Sequence, residues 1–575
     1  MHKLHRSIII IFSVLMTLPG QAQKEELFFK AAGTPANPKV NVSWNRYNTY
    51  AGIMDIAEKL EKAYPDLVTV GSAGKSYEGR DILTLTITNH KNQNPDHKPG
   101  YYIDGNIHSN EIQGTEMALY AAWYLVEMYE DNEFIRELLD DKVFYILPTI
   151  NPDARENFMH EANTGSSPRS GMVPRDDDRD GLVDEDGFDD INGDGVISMM
   201  RRKDPYGQYK DDPSDPRQMI RVQPGETGEY EMLGYEGIDN DGDGRVNEDR
   251  QGSYDPNRDW GYNWEPNYIQ GGADKYPFTF PENQAVRDFA LGHKNIAGAQ
   301  SYHNSGGMIL RGPSAETGGS EIYTREDNMV INSIGELGES IIPGYRLLTI
   351  YKDLYTVYGG ELDWWYGFMG TYVYSNELWS RYLMFGDGDD RDSYKFDKYL
   401  LFEDAFIPWE EYDHPVYGKV EIGGFDKNFG RIHPGFILET DAHRNTAFCL
   451  YHAYQTPKLN VRDIKVEKLQ GSLKQVTATI ENTRMMPTHS GQNIHYKIDP
   501  PDYIYLDGGE VVAGMIVLDE DNNLCSEQER NPQRIEVENI PGNSTVKVRW
   551  IVKGGSKYTV RVESVKGGHA SGSAE

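Results

Sequence analysis

Tyr102-Ile103-Asp104-Gly105-Asn106-Ile107-His108-Ser109-Asn110-Glu111 reads as a strand that stops at a turn and hands over to a helix. The strand-like run covers 101–107, and a long amphipathic helical pattern follows over about 111–129. The same alternation continues on both sides. A helix is predicted over roughly 44–64, with Tyr50, Ile53, Ile56 and Leu60 at helical spacing. Strands are predicted at 81–88, 143–149, 296–302 and 371–378, and helices at 281–293 and near 321–340. This order argues an α/β domain with a largely covered sheet, spanning 42–455.

Between Asn151 and Asn257 the periodicity breaks into Asp, Gly and Pro, which reads as an insertion over about 160–254. Beyond it, residues 456–575 carry short alternating runs at 461–466, 475–480, 545–552 and 557–562. They predict a small all-β sandwich with no cluster of chemistry-bearing side chains, a stabilising or positioning module.

The N-terminus reads as a secretory leader. Lys3 and Arg6 precede an apolar run over 8–18 that is short for a membrane span, and Gly20-Gln21-Ala22 offers small residues for cleavage after Ala22. Residues 23–41 are a polar linker, and no long propeptide is evident, so activity is expected on export. No later segment is apolar enough to span a membrane. The net charge is −34, and losing the two leader cations makes it −36. Nucleic acid and anionic membrane are therefore excluded as partners. Cys449 and Cys525 fall in different domains and are expected to be free.

His108 and Glu111, three apart where a helix opens, can converge on one cation; imidazole nitrogen with carboxylate oxygen suits Zn²⁺. Alone the pair is weak. His303 ends another predicted strand, and such sheets gather ligands at strand C-terminal ends. A His₂Glu set leaves one zinc position open for water, the arrangement of a catalytic site.

At this point the sequence resembles the carboxypeptidase A family of metallocarboxypeptidases over roughly 42–455, interrupted by the insertion. The resemblance implies an α/β/α sandwich around a mixed, mostly parallel sheet, with Zn²⁺ as cofactor. Asp255-Pro256-Asn257-Arg258 is similar to the family segment whose Asn and Arg bind the substrate's terminal carboxylate, and Asp255 to the acid that orients the first zinc histidine. Tyr355, four residues before Gly359, matches the mobile capping tyrosine, and Leu362 the base of the pocket for the terminal side chain. Glu377 falls where the catalytic glutamate stands, as general base and acid. The oxyanion arginine is assigned to Arg201, with Arg202 as the alternative. Two departures stand out. Asn110 replaces a family arginine, which implies weaker contacts upstream of the cut bond, and Met199-Met200 replaces the usual aromatic before Arg201.

These assignments imply an exported zinc carboxypeptidase acting on peptides with a free C-terminal carboxylate. Leu362 favours apolar or aromatic termini, whereas a one-residue shift would put Glu361 in the pocket and favour Lys or Arg. Two rivals remain: a zinc hydrolase trimming cell-wall peptides, and a calcium-stabilised binding protein on a retired peptidase fold.

The insertion carries its own signal. Ten of the twenty residues from Asp176 to Gly195 are acidic. Asp176-x-Asp178-x-Asp180-Gly181 recurs as Asp190-x-Asn192-x-Asp194-Gly195 and as Asp239-x-Asp241-x-Asp243-Gly244. Alternate oxygen ligands before a Gly form the first half of an EF-hand-type loop, so structural Ca²⁺ is expected. Val183, Ile197 and Val246 stand two beyond each Gly, where docking residues belong. No Glu occupies the twelfth position; Asp184 and Asp186, or Asn247 and Asp249, are candidates to complete the sites.

Overall fold

The computed structural model describes residues 31–316, 322–379 and 392–575. The proposed leader lies outside them. An eight-stranded sheet runs edge to edge as Val68–Lys75, Asp81–Ile87, Val143–Leu147, Gly100–Gly105, Ile296–Asn304, Tyr372–Leu378, Met308–Arg311 and Arg346–Thr349. The pairings joining Val143–Leu147 to Gly100–Gly105, Gly100–Gly105 to Ile296–Asn304, and Ile296–Asn304 to Tyr372–Leu378 are parallel, and so is the last pairing at the far edge. The sheet is therefore mixed and mostly parallel, and its central strands are buried along their whole length. That is why they read as near-continuous apolar runs.

One helix differs from expectation. Gln113–Glu127 has no exposed face: all its residues are buried. It packs on the sheet and on the long helix Gly435–Gln455, which sequence periodicity did not reveal. Its two acids are each supplied with donors. Glu116 accepts from Asn48 N (2.8 Å) and lies 3.3 Å from Arg155 Nη2; Glu127 accepts from Val40 N (2.8 Å) and Tyr64 OH (2.6 Å). The last residues of the predicted linker are thus bonded to the domain rather than free of it.

The insertion has more regular structure than its composition suggests. Met199–Lys203, Tyr209–Asp212, Asp215–Arg221 and Tyr230–Tyr235 join the later hairpin Phe406–His414 and Gly418–Phe425 in a six-stranded sheet. Met200 packs there with Val420 and Ile422. Of the three expected docking residues, Ile197 is buried, Val246 is half-buried, and Val183 is 52% exposed and docks nothing.

Residues 459–575 form two antiparallel sheets, of five and four strands, around a core that includes Val476, Ile480, Ile504, Trp550 and Val560. This sandwich is fastened to the α/β domain. The buried Lys566 Nζ donates to Met369 O (2.8 Å) and pairs with Asp499 (2.5 Å), and Gly491 N donates to Asp327 Oδ2 (2.7 Å). Cys449 and Cys525 are both free thiols. Among the described residues, no helix is long and apolar enough to cross a membrane.

Candidate active site

The turn after Gly100–Gly105 is built by small residues and one asparagine. A Cβ on Gly105 would lie 2.5 Å from the Gly114 carbonyl carbon, so only glycine lets the helix start press onto the strand end. Asn106 takes φ 64°, and its Nδ2 donates to the carbonyls of His108 (2.8 Å) and Ser109 (3.0 Å). This holds His108 and Glu111 on one side of the turn.

His303 arrives from the neighbouring parallel strand, and Glu377 from the next, where the two residues are direct register partners. His303 Nδ1 lies 3.2 Å from His108 Nδ1 and 3.2 Å from Glu111 Oε2, and His108 Nδ1 lies 3.1 Å from Glu111 Oε1. Asp255 Oδ1 sits 2.9 Å from His108 Nε2, so Nδ1 is the nitrogen that faces Glu111 and His303. Two imidazole nitrogens and a buried carboxylate converging in this way fit a divalent zinc ion, with ligands His108, Glu111 and His303. Burial alone would raise the Glu111 pKa, but His108, Arg169 and both histidine hydrogen bonds overcome it and hold the carboxyl well below its usual range. Asp255 is likewise held low against burial by His108, Arg258 and Arg169. Glu377 goes the other way: burial first, then the nearby Glu111, push it up to about 7.

One cavity of about 240 Å³ joins these groups to Asn257, Arg258, Tyr355 and Leu362. Arg258 Nη1 donates to Asn257 O (2.7 Å), and Asn257 Oδ1 accepts from Glu361 N (2.9 Å), so the segment is braced against the helix Glu361–Gly367. Tyr355 is 61% exposed at the mouth. Ile350, Leu354, Val357 and Leu362 make an apolar wall. Glu361 borders the cavity too, but its carboxyl accepts from Ser301 Oγ (3.0 Å) and Trp365 Nε1 (3.0 Å). Burial, with Asp104 alongside, raises its pKa well above normal.

Arg201 requires a correction. It lies in the insertion sheet, with Nε 2.7 Å from Glu421, Nη1 2.9 Å from Asp211 and its guanidinium over Tyr230 and Trp409. Arg202 pairs with Glu231 at 2.6 Å. Neither lines the cavity. The arginine that does is Arg169, whose Nη1 bonds Glu111 and whose carbonyl anchors Ser109 N at 2.8 Å. Arg431 also lines it, 3.7 Å from Glu111, while Asn110 turns away to the Gly165 carbonyl (3.2 Å). Sequence reasoning missed both arginines. The available signal for Arg169 was an arginine directly after Ser-Ser-Pro, in a stretch with no helical or strand period to occupy it.

Of the expected calcium residues, Asp176 and Asp178 gather with Asp249, Asp190 and Asp194 with Glu236, and Asp241 with Asp186 and Glu248. Asp180, Asn192, Asp239 and Asp243 stay in their own turns, for instance with Asp239 Oδ1 accepting from Gly242 N (2.6 Å).

Two imidazoles, two carboxylates and convergent arginines gathered at one end of a mostly parallel sheet form a donor set suited to a metal-dependent hydrolase. The zinc carboxypeptidase family matches residues 53–183 and 232–395, just over half of the chain, and the gap falls inside the insertion. The protein belongs to the zinc carboxypeptidase family. Residues 458–575 match a family described only as a domain of unknown function. The chain is 32% identical to carboxypeptidase D of Anas platyrhynchos over 139 residues, 24% of this chain and 10% of that protein. It is 31% identical to carboxypeptidase Z of Homo sapiens over 111 residues, 19% and 17% of the two chains. Solved structures similar to it include the carboxypeptidase A from Helicoverpa armigera, with TM-score 0.42 and 17% identity, covering 74% of this chain and 76% of that one.

Proposed function

We propose that the protein is an exported carboxypeptidase that removes the last residue of peptides, with zinc held by His108, Glu111 and His303. The observation that carries this reading is the single cavity shared by His108 and His303 of the zinc set, Glu377 and the Asn257–Arg258 pair. A guanidinium fork matches a carboxylate bidentately, so Arg258 with Asn257 selects a chain end. Tyr355 closes over the bound residue, and its side chain enters the apolar wall around Leu362, which supports apolar or aromatic termini. Zinc, when bound, supplies Lewis acidity toward a water and the scissile carbonyl. Glu377 takes a proton from the attacking water and delivers it to the leaving amine. Arg169 donates to the carbonyl oxygen as negative charge builds there. The leader-like N-terminus supports the exported location, and calcium is the structural ligand proposed for the insertion.

The test is a pair of peptides differing only at the C-terminus, free acid against amide, assayed on zinc-loaded enzyme. The amide loses the partner of a buried charge, on the order of 2–5 kcal/mol in kcat/KM. Arg258→Ala should weaken cleavage of the free peptide and shrink the difference. Equal cleavage of both peptides by the wild type removes the exopeptidase reading.

A further inference from the structure

The insertion contains an internal repeat longer than its acidic cores. Residues 176–186 (DDDRDGLVDED) and 239–249 (DNDGDGRVNED) share five acids, the Gly and the Val in the same places, while Asp177 and Asp184 of the first copy are Asn240 and Asn247 in the second. Asp184 and Asn247, equivalent in the two copies, both take left-handed φ, 51° and 67°. The copies are joined by an antiparallel bridge between their last residues, Asp186 and Asp249, with Asp186 N donating to Asp249 O at 3.1 Å.

The bridge crosses the acids over. Asp249, ending the second copy, brings a carboxylate oxygen within 4.8 Å of those of Asp176 and Asp178 in the first. Asp186, ending the first copy, does the same with Asp241 and Glu248 in the second. The middle core, Asp190 to Gly195, has no paired copy; Glu236, following the strand Tyr230–Tyr235, stands within the same 4.8 Å of Asp190 and Asp194.

Two of the three completing acids, Glu236 and Asp249, are buried and incompletely satisfied, whereas the buried Asp186 accepts from Asn240 N (3.2 Å) at Oδ1 and from Asn247 N (3.0 Å) at Oδ2. Glu236 is 0% exposed; its Oε1 accepts from Ser198 N (2.6 Å), and no donor reaches Oε2. Asp249 is 1% exposed, and no donor reaches its Oδ2. Both oxygens of Glu248 and Oε2 of Glu185 are also without donors. Their polar neighbours are other carboxylates: Glu185 lies against Asp249, and Glu248 against Asp186. Burial, with Asp194 and Asp190 alongside, pushes the Glu236 carboxyl up to about 7. Buried like charges are satisfied either by sharing protons or by holding a cation among them. All-oxygen donors around a Gly turn select calcium over zinc, and millimolar calcium outside a cell fills even weak sites.

We propose that each of the three acidic cores binds one calcium ion, and that the ligand its loop lacks is supplied from elsewhere: Asp249 to the first core, Glu236 to the middle one, Asp186 to the third. Neither repeat completes its own site, so the outer two fill together. This deepens the reading of calcium as a structural ligand and is independent of the peptidase chemistry. It also ties the cluster to catalysis. The two arms of the insertion carry Arg169 at one root and Asp255 to Arg258 at the other, and Ser170 Oγ already bonds Gly252 O (2.6 Å) between them.

The experiment is calorimetric titration of CaCl₂ into full-length, zinc-loaded protein freed of calcium by exchange, with zinc content checked by metal analysis. The expected result is uptake of three calcium ions per chain and a melting temperature raised by several degrees. Glu236→Gln and Asp249→Asn should each lower the stoichiometry. In calcium-free buffer both should melt higher than wild type, because an amide removes an unpaired buried charge. Asp241→Asn, at an exposed ligand position, tests the cluster without touching a buried group and should weaken uptake. Absence of calcium uptake at about 10 mM would overturn the proposal altogether. Unchanged stoichiometry and affinity in Glu236→Gln and Asp249→Asn would leave calcium binding but overturn these ligands. Peptide hydrolysis is followed in parallel, and its absence alongside normal calcium uptake would count against the peptidase reading alone.

Discussion

Glu377 and His303 are register partners across two adjacent parallel strands, so backbone pairing itself sets the carboxylate beside the imidazole. An amide at 377 preserves that pairing and leaves His108, Glu111 and His303 untouched. Glu377→Gln should therefore keep full zinc and lose kcat by roughly 10²–10⁴-fold, the usual worth of a positioned acid–base group. Metal analysis beside steady-state kinetics checks it; near-normal kcat at full zinc would assign the proton transfer elsewhere.

Arg169 and Arg201 separate a role in the cavity from a role in the insertion sheet. Arg169→Ala should lower kcat by about 10²–10³-fold, as for loss of one donor to a developing oxyanion. Arg201→Ala leaves Glu421 and Asp211 without their shared cation and should cost ~1–3 kcal/mol of stability while kcat changes little. Kinetics and thermal melts on both variants decide between them, and the reverse pattern would reinstate Arg201.

Terminal-residue preference follows from which neighbour faces the cavity. Leu362 lines it, whereas the Glu361 carboxyl is bonded to Ser301 and Trp365. A peptide panel varying only the last residue should favour Phe, Leu or Met over Lys and Arg, and Leu362→Asp should move the preference toward basic termini. A wild-type preference for Lys or Arg would contradict the apolar wall.

His452 provides a pH test of the core. It is fully buried, with Nδ1 2.9 Å from Tyr101 OH, and burial lowers its pKa to about 3. In the unfolded chain it titrates near ~6.5. Between those values the unfolded state holds the proton and the folded state does not. Its contribution is therefore complete above about pH 6.5 and falls by ~1.4 kcal/mol per pH unit on acidification. His452→Gln, less stable at neutral pH, should close the gap to wild type between pH 6.5 and 4 in urea unfolding. A gap independent of pH would mean that the imidazole carries its proton in the fold.

The strands that lead to His108, His303 and Glu377 were legible in the sequence because each opens on a short apolar run, at 101–103, 296–299 and 372–374. Residues such as Asn257 and Arg258 were legible only through resemblance, since nothing local distinguishes them from a loop ion pair. Arg169 was not legible: its partner Glu111 lies 58 residues away, and a contact across that distance leaves no periodic trace. The insertion strands escaped notice because Met199–Lys203 and Asp215–Arg221 are mostly half-exposed and charged, so their alternation is hidden in polar composition. The helix Gln113–Glu127 departs in the other direction from the amphipathic pattern expected over 111–129, since Glu116 and Glu127 are internal acids with assigned donors.

Met199–Lys203 finds one of its two sheet neighbours in Gly418–Phe425, about 215 residues further along the chain. While the polypeptide is still emerging, that strand has an open edge with nothing to lie against, and its six-stranded sheet cannot be finished until residue 425 is available. The insertion sheet thus closes only when a strand from far beyond the insertion joins it, so the insertion does not complete its own fold.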